Sequence, residues 1–164
     1  MARTDWEQQF VEYFTVRAEP LRRLAYSLSG DWHTAEDLVQ VTFVRLYRNW
    51  PRVRAESVDA YSRRVLVNAF LSDRRNRRRE AVTPDPPDLP AAGVDVAVRL
   101  AVRHALAQLS PRQRAAVVLR YLEDLPVAEV ATLLGITEGT VKSQTARGIQ
   151  SMRGALGDPV LTKE

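Results

Sequence analysis

Apolar residues in the first half of the chain recur at helical spacing, and residues 1–80 show no strand pattern. The spacing predicts helices over about Asp5–Arg17, from Pro20 to near Gly30, over Trp32–Trp50, and from a cap at Ser57 to about Arg78. The third has the clearest apolar face, formed by Ala35, Leu38, Val39, Phe43, Leu46 and Trp50. Asp31 can cap that helix and Pro51 is expected to end it. The fourth carries an apolar stripe of Val58, Tyr61, Val65 and Ala69.

The second half predicts four more helices. The first covers about residues 96–109, with one face of Val98, Val102, Ala105, Leu106 and Leu109. The next begins with a capping hydroxyl at Ser110, proline at the first helical position and Gln113 three residues after the cap. Pro126 opens a short helix that Gly135 ends, and Thr137 caps a last helix that runs to about Leu156.

Between the halves lies a segment that cannot be helical. Residues 81–95 include Pro84, Pro86, Pro87 and Pro90, which lack the amide hydrogen and favour an extended linker. We therefore expect an all-α chain of two small helical domains, residues 1–80 and 96–158, joined by a Pro-rich acidic linker and followed by a tail, residues 159–164.

Charge and composition limit the classes of function that the chain can have. The chain has 24 basic and 20 acidic residues, a net charge of +4, and Lys142 and Lys163 are its only lysines. Arginine suits bidentate contacts with phosphate and guanine, so an anionic partner is favoured. The chain has no cysteine, its two histidines are far apart, and it lacks a Gly-rich phosphate loop. These features indicate a protein that is not an enzyme, with no cofactor or metal. The lack of a signal peptide or apolar span indicates a cytoplasmic protein without membrane insertion.

The strongest motif is Val127–Gly148, which has the form of a helix-turn-helix. Small Ala131 permits a close helix crossing, Gly135 suits a turn with positive φ, and Ile136 and Val141 are expected to be buried. The polar face of the second helix then consists of Thr140, Lys142, Ser143, Gln144 and Arg147. Lys and Arg can read guanine or hold phosphate, and Gln can read adenine. A plain helical hairpin with a solvated face is the alternative.

A run of arginines, residues 74–79, follows at the end of the fourth predicted helix, with Arg63 and Arg64 about three turns earlier. Such a run can interact with the helix dipole and keep a protein soluble. Five arginines in six positions exceed that need, which favours contact with a phosphate backbone without sequence specificity.

A third motif, Ala35–Phe43, carries acidic residues on a helix. Neighbouring Glu36 and Asp37 point about 100° apart and so cannot form a catalytic carboxylate pair. Asp37, Gln40 and Val44 form an outward stripe, for which a solvated surface is the default interpretation.

Together these segments resemble a known family. AEDLVQVTFVRLY, VNAFLSDRRNRRR and LSPRQRAAVVLRYLEDLPVAEVATLLGITEGTVKSQTARG are similar, in this order, to the extracytoplasmic-function (ECF) group of bacterial sigma-70-type sigma factors. The VKSQTARG segment resembles an actinobacterial, SigE-type subgroup. The resemblance implies a sigma-2-like domain, a sigma-4-like helix-turn-helix domain, and a role in promoter recognition during transcription initiation.

The resemblance also assigns roles. Core RNA polymerase, through its β′ clamp helices and β flap, and promoter DNA are the implied partners, and many members of the family are held by an anti-sigma factor. Docking on the clamp helices is implied for Asp37 and Gln40, with Phe43 mainly in the core, while Val41 stands where an acidic residue often follows. The resemblance implies that Asn68 contacts the minus-ten element near a flipped-out base. It also implies that Arg74 and Arg75 contact the DNA backbone of that element. The minus-thirty-five element is implied to be read by Lys142, Ser143 and Arg147. At two positions where many relatives carry Arg and Leu, this sequence has Gln144 and Thr145.

Two other classes compete with this interpretation. A helix-turn-helix regulator of the LuxR type would share the second lobe, but it would need an α/β receiver where residues 1–80 show only helices. An enzyme acting on nucleotides would need a phosphate loop, a nucleophile with its base or a metal cluster, which the sequence lacks.

Overall fold

A computed structural model describes residues 2–53, 58–73 and 96–157, with side chains from Asp5 onward. The first lobe contains α1 (Ala2–Ser29), α2 (Trp32–Val53) and α3 (Val58–Ser72). The second contains α4 (Val96–Ala107), α5 (Pro111–Val117), a π-helical segment (Val118–Leu122), α6 (Val127–Leu134) and α7 (Glu138–Leu156). The all-α fold with two helical lobes is confirmed for these residues. The predicted linker, the Ser57 cap and the tail lie outside them.

The prediction of two helices before Gly30 was wrong, because α1 continues through Pro20. A proline inside a helix removes one backbone hydrogen bond and costs about 3 kcal/mol. Both halves of α1 nevertheless pack against α2, and the second half buries Leu21, Leu24 and Leu28. Packing of α1 against α2 on both sides of Pro20 offsets the missing bond, which local sequence signals could not reveal.

The ends of α2 and α3 also differ from expectation. Asp31 caps α2 as predicted, since its carboxylate accepts the backbone N–H of His33 at 3.3 Å. The helix ends at Val53, however, rather than at Pro51. Helix α3 ends at Ser72, before the arginine run, where the Asp73 amide turns back to the Phe70 carbonyl at 3.2 Å.

The predicted apolar stripe of α3 was only partly correct. Val65 is buried, but Tyr61 is half-buried, whereas Leu66, Val67 and Phe70 are completely enclosed. Helix α3 packs against the first lobe on one side and against α5 and α6 on another. The second lobe therefore covers a surface that would be exposed in an isolated first lobe.

The residues predicted to begin the helices of the second lobe do so in the structure. Ser110 accepts the Gln113 amide at 3.3 Å, with Pro111 at the first helical position. Helix α4 ends at Ala107, earlier than expected, and Val98 is 40% exposed rather than buried. The π-helical segment after α5 was not predicted.

At Gly148, α7 passes close to the side chains of Val117 and Leu109. A Cβ built there would lie 2.6 Å from Val117 Cγ2 and 3.5 Å from Leu109 Cδ1. Only a residue without a side chain fits between α7 and α5 at this position.

Gly148→Ala is therefore expected to destabilise the protein by about 1 to 3 kcal/mol, because the added methyl forces the helices apart. The matched control is Gly154→Ala on the same helix, where nothing lies within 4 Å of the added Cβ. That change should be neutral or stabilise by up to about 1 kcal/mol through helix propensity. Urea unfolding measures both, and equal stability of the two variants would contradict the close approach.

The two lobes contact each other through a defined set of side chains, which we call the lobe interface. Arg114 Nη1 donates to the Leu28 carbonyl at 2.8 Å, and its guanidinium lies 5.9 Å from the Phe70 ring centroid. Arg103 donates to the Tyr26 hydroxyl and lies over that ring. Arginines of the second lobe thus hold the end of α1 and the inner face of α3.

Candidate functional site

The helix-turn-helix is formed by α6, the turn at Gly135 and α7. Gly135 has φ of +66°, the left-handed conformation that favours glycine, and its amide donates back to the last turn of α6. Thr137 accepts the Thr140 amide at 3.1 Å and so caps α7. Ala131 and Val141 are buried between the helices, and Ile136 is half-buried. The turn, the cap and the burial of Ala131 and Val141 are as predicted, whereas Ile136 was expected to be buried and is only half-buried.

All five predicted groove-facing residues lie on the first three turns of α7. Lys142, Ser143 and Arg147 are exposed, and Thr140 and Gln144 are half-buried. Hydroxyl groups of this set are partly engaged within the helix, since Ser143 donates to the Thr140 carbonyl at 3.1 Å. The side chains of Lys142, Gln144 and Arg147 therefore have the longest reach toward an external partner.

A second surface lies on α2. Asp37, Gln40 and Val44 are all exposed, so the predicted outward stripe is confirmed as a surface. Phe43 is 6% exposed and packs in the core. Glu36 points elsewhere and pairs with Arg22 at 2.7 Å. The two neighbouring acids therefore do not converge on one point.

Next to this stripe runs an apolar groove between α1 and α2 that sequence reasoning missed. It is lined in part by Phe10, Phe14 and Tyr47, and Phe14 and Tyr47 are 44% and 42% exposed. Phe14 packs against Phe43 with ring centroids 4.6 Å apart. The i, i+4 spacing of Phe10 with Phe14 was a usable signal, but which aromatic rings stay exposed depends on how α1 and α2 cross.

Helix α3 presents Asn68 to solvent, whereas Arg74 and Arg75 lie outside the described residues. The start of α3 is fixed against α1 by Tyr13, whose hydroxyl donates to Asp59 Oδ1 at 2.8 Å. Arg17 pairs with the other carboxylate oxygen at 2.7 Å. Burial raises the pKa of the Tyr13 hydroxyl to about 12, and hydrogen bonding to Asp59 contributes to that rise. These bonds hold the helix that carries Asn68 in place.

Arg63, grouped by sequence with the nucleic-acid-binding arginines, has a different environment. It lies 3.5 Å from Glu123 and 3.8 Å from Glu129, both on the second lobe. Arg63 thus belongs to the lobe interface, whereas Arg64 on the same helix is exposed.

The described residues contain no group of three or more His, Cys, Asp or Glu side chains that could hold a metal ion. Across that same part of the chain, every helix is too short or too polar to cross a membrane. The surfaces on α2 and α7 expose polar and charged side chains, and both suit binding to a macromolecule.

A helix-turn-helix with a polar recognition face, linked to a second helical lobe with its own exposed stripe, defines a two-domain DNA-binding protein. Comparison with known families identifies the family to which the chain belongs. Residues 15–80 match the description "Sigma-70 region 2", and residues 99–152 match "Sigma-70, region 4". The chain is 36% identical over 154 residues to the RNA polymerase sigma-E factor of Streptomyces avermitilis, covering 90% of this chain and 85% of that one. The chain belongs to the ECF RNA polymerase sigma factors.

Two further relatives agree with this assignment. The ECF RNA polymerase sigma factor SigE of Mycolicibacterium smegmatis is 37% identical over 149 residues, covering 85% of this chain and 58% of that protein. The solved structure of the sigma factor RpoE from Bartonella quintana, crystallised with the anti-sigma factor NepR, superposes with a TM-score of 0.72 at 26% identity. That match covers 91% of this chain and 97% of the other.

Proposed function

We propose that this protein directs RNA polymerase to a specific set of promoters, acting by binding and not by catalysis. Its first lobe, residues 1–80, docks on the β′ clamp helices of core polymerase and contacts the minus-ten element. Its second lobe, residues 96–158, reads the minus-thirty-five element and meets the β flap. The observation that carries the proposal is the presence, in one sigma-family chain, of an exposed acid–amide stripe on α2 and a capped recognition helix α7.

Within the first lobe, Asp37 and Gln40 make the polymerase contacts, and Phe43 supports them from the core. Asn68 contacts an unstacked base of the minus-ten element, and Arg74 and Arg75 hold the phosphate backbone. Two facts support this division. Asp37, Gln40 and Asn68 are exposed, while Phe43 is buried directly beneath the groove beside the stripe.

Regulation by an anti-sigma factor follows from the same relationship, since the Bartonella quintana relative was crystallised with one. The exposed aromatic rings of the groove between α1 and α2 supply an apolar surface on which such a partner could compete with polymerase. A protein with these partners works in the cytoplasm, where promoter DNA and polymerase are found.

The test of this function is transcription in vitro with purified core RNA polymerase and genomic fragments, followed by mapping of the start sites. Initiation at defined sites only in the presence of this chain would support the proposal. Binding to DNA without core polymerase, and no association with it, would instead favour a free-standing helix-turn-helix regulator.

The recognition helix supplies a sharper prediction. Lys142→Ala or Arg147→Ala should each weaken holoenzyme binding to its promoter by about 1 to 3 kcal/mol, since a bidentate contact to a base is lost. The discrimination between promoters that differ in the upstream element should fall as well. Affinity measurements on matched and altered upstream elements check this. Equal weakening on every sequence would mean that both side chains contact phosphates only.

A further inference from the structure

Four polar side chains, which we call the α1–α3 cluster, join α1 to the first turns of α3. The Asp59 carboxylate accepts two bonds, from the Tyr13 hydroxyl at 2.8 Å and from Arg17 Nη2 at 2.7 Å. The Tyr13 oxygen also lies 3.0 Å from Ser62 Oγ. Because Tyr13 has one hydroxyl proton and donates it to Asp59, Ser62 is the donor in this third bond. The cluster therefore joins two residues of α3 to two residues of α1.

The α1–α3 cluster holds α3 at one angle. Asp59 and Ser62 lie one turn apart, so the cluster fixes one side of that helix. Ser62 is fully buried, and the Tyr13 ring also packs against Trp50 of α2 with ring centroids 5.7 Å apart. Apolar packing has no preferred direction, whereas hydrogen bonds have preferred angles. These bonds therefore restrict the rotation of α3 about its own axis.

Asn68 lies on the opposite side of the same helix. It follows Asp59 by nine positions, which places it about 180° around α3 and about 14 Å further along the helix axis. Asn68 is exposed, whereas Val67 next to it is completely enclosed. The direction in which Asn68 leaves the protein surface therefore depends on how the opposite side of α3 is held.

We infer that Asp59 is a positioning residue for Asn68: by joining α3 to Tyr13 and Arg17, it fixes the direction in which Asn68 meets an unstacked base of the minus-ten element. The inference rests on the proposed function and assigns a role to a residue that does not itself contact DNA. A binding group must be held by its neighbours within about 0.5 Å of the productive geometry.

The exposure of the ion pair separates this role from a role in stability. The side chains of Arg17 and Asp59 are each 41% exposed. Ion pairs that solvent reaches contribute little to the free energy of unfolding, because water and salt screen them. Loss of Asp59 is therefore expected to disturb the capture of the base more than the folding of the lobe.

The experiment follows the opening of promoter DNA by the holoenzyme, with a fluorescent adenine analogue in the minus-ten element to report unstacking of the base. Asp59→Ala is expected to slow opening by about tenfold, because Asn68 is misplaced. Its affinity for core polymerase should change by less than about twofold. Asp59→Asn keeps an acceptor for Tyr13 but loses the charge that pairs with Arg17, so its rate should lie between those of Asp59→Ala and the wild type.

The matched control is Glu19→Ala. Glu19 is an exposed carboxylate of α1 that pairs with Arg22 at 3.1 Å within the same helix, so its loss leaves α3 untouched. This variant should open promoter DNA at the wild-type rate. Circular dichroism and urea unfolding establish that each variant is folded, and Asp59→Asn replaces Asp59→Ala in every comparison if the latter does not fold.

A double-mutant cycle with Asn68→Ala distinguishes positioning from a general loss of structure. Asn68→Ala should slow opening by itself, and adding Asp59→Ala should cause no further loss, because the side chain that Asp59 positions is already gone. A purely structural role would slow opening by the same factor in both backgrounds. That result would overturn the inference, as would wild-type opening by either single variant or an equal loss of polymerase binding and opening in Asp59→Ala.

Failure of the positioning role and failure of the proposed function give different results. If the wild-type holoenzyme opens promoter DNA and Asp59→Ala opens it equally fast, only the positioning role is wrong. If the wild-type chain does not support opening with core polymerase, the proposed function is wrong and the positioning role falls with it.

Discussion

Replacing Asp37 and Gln40 together by alanine is expected to weaken binding to core RNA polymerase by about 30-fold or more while leaving the protein folded. Both side chains are exposed on α2, and the structure gives them no hydrogen-bond partner among the described residues whose loss would matter for folding. Surface changes of this kind usually alter stability by about 0.5 kcal/mol or less. In an interface, loss of a charged hydrogen-bonding partner costs about 2 kcal/mol or more, roughly a 30-fold loss of affinity.

The matched control for this variant is Gln8→Ala with Glu12→Ala. These residues form another exposed amide–acid pair, one turn apart on α1, and neither lines the groove next to Val44. Circular dichroism and urea unfolding should report native stability for both double variants. A pull-down with core polymerase and transcription in vitro should fail only for Asp37→Ala with Gln40→Ala. If that variant still binds polymerase, α2 is not the docking surface.

Arg114→Ala is expected to produce the largest loss of stability of any single arginine change, about 2 to 4 kcal/mol. Its guanidinium donates to three carbonyls, those of Leu28 at 2.8 Å, Ala107 at 3.3 Å and Leu109 at 3.0 Å. These carbonyls end α1 and α4, which belong to different lobes. Removing the donor takes this hydrogen bond from the part-buried carbonyls of Leu28 and Leu109, and each buried group left unpaired costs about 1 to 3 kcal/mol when solvent cannot replace the donor.

The expected observation is a lower urea midpoint and unfolding in two steps, because Arg114 also couples the first lobe to the second across the lobe interface. Arg114→Lys should recover only part of the loss, since an ammonium group cannot span three carbonyls as a guanidinium does. Arg112→Ala, on the same helix but exposed, is the control and should change stability by less than about 0.5 kcal/mol. A similar result for Arg112 and Arg114 would show that the carbonyls are satisfied by water.

Local signals in the sequence were sufficient wherever a few neighbouring residues decide the structure. The caps at Asp31, Ser110 and Thr137, and the left-handed turn at Gly135, are all as predicted, because each depends on hydrogen bonds or backbone angles within four residues. The exposure of Lys142, Ser143 and Arg147 on α7 was predictable for the same reason.

Predictions from sequence spacing failed where packing between distant elements decides the structure. Pro20 signalled a helix start, but burial of α1 against α2 carries the helix through it. Val67 is fully buried although the predicted stripe of α3 did not include it, and Val98 is exposed although its spacing suggested a core position. The effective environment of these residues depends on contacts made with other elements of the chain.

By itself, the sequence determined the all-helical class and the helix-turn-helix, because periodicity and capping are local properties. It also named the residues that we propose contact polymerase and promoter. Only the tertiary structure decided that Arg63 pairs with Glu123 and Glu129 instead of facing outward, and that Arg114 joins two helix ends. Only the structure, too, joins Asp59 to Tyr13 and Arg17. The physical reason is that charge pairing and helix-end satisfaction depend on distances in space between residues far apart in the chain.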